Sequence, residues 1–302
     1  MSRLKVARLF DRRGAEARDR DAETADAVLR LAVLLEAGVP AARAWPHVRP
    51  GAPAESPTPA AIAELGGAWR AVGAAWSVSA AVGAPLADSL RAIAAALRDA
   101  QETADQVRVT LAEPAGTARL MAWLPLVAVA LGSALGFDTV AVLVGSPAGW
   151  ACATAGLLCM VGARRWSARL VRRATAPEGV PGLRAELSAI ALRGGVSVER
   201  AGEIVEAAVA SAGIDGPESG EDSQGDADIL ALSREAGVPA VELLRASAVL
   251  ARHRARTEGR LRAAKLASHL LIPLGVCTLP AFLLLGVAPM LLSVLGTTSL
   301  IL

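Results

Sequence analysis

Tyrosine is absent from this chain, and all aromatic residues together make up 3% of it. With Ala, Leu, Val and Arg dominant, the alternation of β-branched and aromatic residues that strands need is missing, so almost no sheet is expected. Catalytic signatures are equally scarce. No G-x-x-x-x-G-K-[ST] element occurs, so the chain has no cradle for nucleotide phosphates and is not expected to power a motor itself. His47, His253 and His269 stand apart, without an HExxH pattern or a recognisable Ser/His/Asp arrangement. Ser268 and His269 read as capping or interfacial residues. Cys152, Cys159 and Cys277 lie inside apolar runs and form no metal-ligand or redox pair. No catalytic, metal-binding or cofactor-binding residue is assigned, no cofactor is expected, and the chain reads as a non-enzyme.

Charge excludes further classes. The formal net charge of +2 is too small to argue for nucleic acid. The basic run from Arg252 to Lys265 lacks interleaved aromatics and adjoins an apolar segment, so lipid headgroups and orientation explain it better than a nucleic-acid partner. The acids Glu221, Asp222, Asp226 and Asp228 lack the glycine and glutamate spacing of a calcium loop. Their segment, 211–228, is expected to be a mobile linker.

What the sequence has in excess is apolar residues: 53% of the chain is hydrophobic and mean hydropathy is +0.43. A helix needs roughly 20 mostly apolar residues to cross a bilayer. Three stretches qualify, 120–137, 139–163 and 270–296, the first two forming a hairpin whose tip is marked by Asp138. Pro273, Pro280 and Pro289 interrupt the third, which neighbouring helices can accommodate inside a membrane. Gly132 with Gly136, and Gly145 with Gly149, sit at GxxxG spacing and offer close helix packing.

Positive charge flanks these stretches on one side only. Arg108 and Arg119 precede the first; Arg164, Arg165, Arg169, Arg172 and Arg173 follow the second; Arg252, Arg254, Arg256, Arg260, Arg262 and Lys265 precede the third. The hairpin tip and the tail 297–302 contain neither Lys nor Arg. The bulk of the chain, with its N-terminus, is therefore expected in the cytoplasm and its C-terminus outside. No signal-peptide pattern is read at the start.

Between the apolar stretches, helices announce themselves by period and punctuation. Residues 25–37 form an apolar-periodic helix ended by Gly38, and Pro40 opens the next. A helix over 60–81 is interrupted near Gly66-Gly67. Leu86, Leu90, Ile93 and Leu97 mark one apolar stripe of a long helix that starts at Pro85. After the hairpin the order returns, with a helix over 186–193, the Gly194-Gly195 break, a helix over 198–210, one over 229–236, and a long helix from Pro239.

The return is a repeat. VGAPLADSLRAIAAALR (82–98) matches AGVPAVELLRASAVLAR (236–252), and LAVLLEAGVPAARA (31–44) resembles SAIALRGGVSVERA (188–201), in the same order. Each repeat is followed by a basic stretch and a proline-opened apolar segment. The expected fold class is all-α integral membrane, with two related cytoplasmic helical bundle domains plus three transmembrane helices. The chain divides into a charged N-terminal segment (1–24), a first helical domain (25–118), the hairpin (119–163), a second domain (164–268), a third span (269–296) and a short tail (297–302).

Residues 25–296, and above all AAKLASHLLIPLGVCTLPAFLLLGVAPMLL (263–292), where a basic helix runs into a proline-punctuated span, resemble the type II secretion system F family, especially its shorter Tad-type members. The resemblance implies a platform in the bacterial inner membrane, placed between a cytoplasmic secretion ATPase and pilin or pseudopilin subunits. It further implies membrane lipids as partners, and association with itself or with a second platform protein. A small permease subunit and a membrane-anchored regulatory module stay open. The permease lacks charged residues along the spans that would line a path.

Overall fold

The computed structural model describes residues 20–50, 55–121, 123–135, 141, 144–174, 179–214, 219–269, 272 and 274–291. Among them every regular element is helical and no strand occurs. The chain forms two compact units, one built from 1–104 and 178–257, the other from 105–177 and 258–302.

The first unit begins with α1 (20–36), whose Ala25, Val28, Leu31 and Ala32 are fully buried at the three- and four-residue spacing of one helix face. Gly38 ends it in the left-handed region at φ +84°. The amides of Val39 and Gly38 then bond back to the carbonyls of Leu34 and Leu35, both at 3.0 Å, the paired closure of a glycine C-cap. α2 (Ala41–Val48) follows at once, and its Trp45 meets Trp69 edge-on at 5.6 Å between ring centroids. In α3 (Pro59–Ala63), the Thr58 hydroxyl accepts from the Ala61 amide at 3.2 Å. The expected break at Gly66-Gly67 is present, with both glycines at positive φ, before α4 (Trp69–Val82). A Cβ at Gly73 would lie 2.8 Å from the Pro59 carbonyl oxygen, so α3 and α4 approach more closely than any other residue there permits. α5 (Leu86–Met121) buries Leu90, Ile93 and Leu97 from the stripe read in the sequence.

Two helices, α6 (Leu124–Ala134) and the longer α7 (Pro147–Ala174), belong to the second unit. The first unit then resumes with α8 (Leu183–Arg193), α9 (Val198–Ser211) and α10 (Ser219–Ala236). α11 (Ala240–His269), like α5, supplies residues to both units. The repeat survives in three dimensions. Gly38 and Gly195 have φ of +84° and +81°; Gly83 and Gly237 have +70° and +67°; and α5 and α11 start at equivalent residues, Leu86 and Ala240. Leu90 and Leu244, Ala94 and Ala248, and Ala32 and Ala189 are equivalent pairs with no exposed surface.

The two repeats share one core: Leu183, Leu187, Ile190, Val205 and Val209 from the second repeat lie in the same apolar cluster as Val28, Leu31, Ile62, Val78 and Leu90 from the first. Burial is not local, and a face that reads as the outside of one repeat is the inside of the other. The mobile linker expected over 211–228 is largely helix, because α10 begins at Ser219. Its Ile229 and Leu230 pack against Ala185, Ala189, Leu244 and Ala248, and Asp226 accepts a 3.2 Å hydrogen bond from the Ser188 hydroxyl. Polar composition concealed those tertiary contacts.

In the second unit, α6 and α7 are joined by the run 274–291. That run alternates π-helical turns, Leu274–Thr278 and Leu283–Val287, with α-helical Leu279–Phe282 between them. Its close contacts are made at Gly156, which faces Leu285, and at Gly286, which faces Ala128; a Cβ on either would collide. The sequence directed attention to other glycines: Gly145 has open space beside it, and Gly136 lies outside the described residues. Among the described residues no helix is long and apolar enough to cross a membrane. Residues 122, 136–140, 142–143, 270–271, 273 and 292–296 of the three anticipated spans, with Asp138 and the tail 297–302, lie outside the described residues, as does most of the N-terminal segment.

Equivalent core positions should have equivalent energetic weight. Leu90→Ala and Leu244→Ala are each expected to cost about 2–5 kcal/mol of unfolding free energy, the range for truncating a buried leucine. Leu250→Ala, at a position 46% exposed, is expected to cost far less. Denaturant titration of the three variants measures the difference.

Candidate functional site

Groups capable of acid-base or nucleophilic chemistry are dispersed. His47 and His253 are exposed on α2 and α11, and the Nδ1 of His269 lies 2.7 Å from the Lys265 carbonyl oxygen in the last turn of α11. Cys152 and Cys159 on α7 and Cys277 in the second unit are free thiols, half-buried. No group of three or more His, Cys, Asp or Glu side chains comes together as a metal site among the described residues.

The basic run of α11 does come together with something. Arg252 lies 3.1 Å from Asp99 of α5 and 3.6 Å from Glu186 of α8, with its side chain 12% exposed and that of Glu186 7%. One turn later Arg256 reaches both Asp99 and Glu102 at 3.4 Å. Within the second unit, Arg260 donates to the Gln106 side-chain oxygen at 2.9 Å, and Arg262 pairs with Glu258 along the helix at 3.5 Å. Arg252, Arg256 and Arg260 recur every four residues on one face of α11, and Asp99, Glu102 and Gln106 at three- and four-residue spacing on one face of α5. Two of the six cations read as headgroup ligands, Arg252 and Arg256, therefore turn inward to chain partners; Arg260 bonds Gln106 on the exposed surface, and Arg254 and Lys265 stay exposed. The sequence held the signal in those matched spacings, but nothing local indicated that the two stripes face each other.

A second polar cluster was not anticipated. Between α8, α9 and α10 lies a groove of ≈ 140 Å³ whose polar lining is Arg184, Ser188, Glu206 and Asp226, set among Leu192, Val205 and Leu230. Arg184 is bonded to Glu206, and Ser188 to Asp226. In the first repeat the positions equivalent to Ser188 and Asp226 are Leu31 and Val72, both without exposed surface. The second repeat has thus exchanged an apolar pair for a hydrogen-bonded one. The groove is smaller than the roughly 300 Å³ at which ligand pockets begin, and its polar groups pair with one another.

Two carboxylates on the surface are tuned. A hydrogen bond from Arg91, reinforced by its charge, holds the Glu36 carboxyl below the ordinary value of 4.5. Hydrogen bonds from its own backbone amide and from the Ser197 hydroxyl, with Arg234 nearby, do the same for Glu199 in the first turn of α9. Ser197 itself caps α9 by accepting from the Arg200 amide at 3.3 Å.

Arg252→Ala should destabilise the first unit by about 3–5 kcal/mol, because it leaves Glu186 buried without its cation. Arg254→Ala, on the exposed side of the same helix, should stay within about 0.5 kcal/mol. Chemical denaturation distinguishes them. The acid dependence has a fixed sign: a lowered carboxyl pKa adds stability that is fully present above 4.5 and is lost as pH falls through the lowered value. The advantage in melting temperature of the wild type over Glu36→Gln and Glu199→Gln should therefore shrink between about pH 6 and pH 3. Compared with known families, curated proteins and solved structures, the chain matches none.

Proposed function

We propose that this protein is a non-enzymatic platform in the bacterial inner membrane, serving a type II secretion or Tad/type IV pilus machine. It would bind a cytoplasmic secretion ATPase and pass that motor's movement to pilin or pseudopilin subunits leaving the bilayer. The observation that carries the membrane part of the reading is the outer surface of the second unit. Val127, Leu131 and Leu135 at one end of it, Leu157 and Leu158 on α7, and Val276 and Leu279 in the terminal run are each 56% or more exposed. A monomer in water rarely exposes so many large apolar side chains on one unit; hydrocarbon would cover them at no cost.

Polar anchors stand where such a surface must end. Beyond Ala163 on α7 come exposed Arg164, Arg165, Trp166 and Arg169, the cation and indole pairing found at headgroup depth. The first unit, with its doubled helical body and its charged exterior, supplies the cytoplasmic surface that a motor could grip. The F-family resemblance of 263–292 supplies the identity of the machine. On this reading the three apolar stretches are transmembrane helices, the N-terminus is cytoplasmic and the C-terminus lies outside.

Reporter fusions decide the topology: fusions placed between 175 and 260 should be active only on the cytoplasmic side, and the chain should leave membranes only with detergent. Affinity purification in mild detergent should then retain a secretion ATPase and small pilin-like subunits. A chain that dissolves without detergent, or that retains neither partner, contradicts the proposal.

A further inference from the structure

Inside one chain the two repeats meet asymmetrically. α4 of the first repeat packs on α8 and α9 of the second, and Gly194 is in contact with Val82 so closely that no Cβ fits between them. At the other end of α4 the Arg70 guanidinium donates to the Gly213 carbonyl at 3.0 Å, closing the same interface. Such a contact joins two different surfaces, so it uses one of each and leaves one of each over: the face of α10 equivalent to that of α4, and the face of α1 and α2 equivalent to that of α8 and α9.

The unused faces carry the marks of an interface. Val78 is fully buried on α4, whereas its equivalent Leu232 on α10 is 52% exposed. Ile190 is 3% exposed on α8, whereas its equivalent Val33 on α1 is 50% exposed. At two further core positions apolar residues give way to a complementary pair: Leu187 corresponds to Arg30 and Ala74 to Asp228, both exposed and of opposite charge. The Arg193–Asp88 pair, at 3.6 Å across the internal contact, corresponds to Glu36 and Glu242, which would repel. Each of those is already neutralised within its own repeat, by Arg91 and by Arg245.

We infer that a second copy of this chain docks head to tail, placing its α1–α2 face on the α10 face of the first, in the orientation of the contact that already exists within one chain but at the wider spacing that the Cβ of Ala37 requires. The equivalents of Val82 and Gly194 are Ala236 and Ala37, both exposed, so these two residues lie beside each other across the interface, Ala37 bringing a Cβ for which the tighter Gly194–Val82 contact has no room. This assignment rests on the repeat geometry and stands apart from the platform reading.

Paired cysteines test it in the full-length chain. With Cys152, Cys159 and Cys277 replaced by Ser, two differently tagged chains are co-expressed, one with Ala37→Cys and the other with Ala236→Cys, and oxidised in whole-cell lysate. A disulfide joining the two tags is expected for this combination, and neither variant should cross-link to its own kind. Leu232→Glu on the Ala236→Cys chain should cut the product at least tenfold without moving the melting temperature. Arg30→Asp on the Ala37→Cys chain should weaken it, and Asp228→Arg on the partner should restore it. Cross-linking of Ala236→Cys to itself would show a symmetric dimer and overturn the proposal. So would the absence of any inter-chain product at equal expression, or a Leu232→Glu chain that cross-links as well as its parent.

Discussion

Everything in the first unit depends on the seating of α4 between two repeats. A fourteen-residue helix buried on nearly all sides cannot be held by its own repeat alone, since it presents apolar surface both to α3 and to α8 and α9. The hydrophobic effect has no direction, so this arrangement needs steric selection as well, and two glycines supply it. Gly73 lets α4 approach α3, and Gly194 lets the second repeat approach Val82. A side chain at either site would separate surfaces whose value lies in close contact, and dispersion falls steeply with such gaps.

Electrostatics finish what packing starts. Arg252 is placed so that it serves Asp99 from the first repeat and Glu186 from the second, and Arg256 draws Glu102 into the same group. Taking these charges out of water is costly, and the arrangement is tolerable because the acids and bases lie within about a turn of each other. Its effect is on register: α11 cannot slide along α5 by one residue without separating the pairs. The polar groove of the second repeat plays a parallel part. Ser188 and Asp226 pair where Leu31 and Val72 merely fill space in the first repeat, so two copies of one plan are fixed by different means.

The second unit follows other rules. Its glycines work as contact points, Gly156 against Leu285 and Gly286 against Ala128, while its large apolar side chains point outward. Small residues at the helix contacts and leucines on the exposed side support the proposed membrane setting, in which close helix packing would replace the hydrophobic effect as the source of association. The same distribution would be unfavourable in water, and it is the main physical support for the proposed platform.

Helix content, the glycine-marked helix ends and the duplication were legible from residues alone, because each is written in local chemistry: the lack of strand formers, a glycine that can take positive φ, and a Gly-x-Pro turn read twice. Gly38, Gly83, Gly195 and Gly237 all occupy the left-handed region that their spacing implied. Tertiary structure alone decided that the two repeats share a core, that 219–228 is helical, and that Arg252 and Arg256 face Asp99, Glu102 and Glu186 instead of lipid. These depend on which faces meet across 38 to 157 residues of sequence, and a pattern with a period of a few residues reports that a face is apolar or charged without naming what covers it.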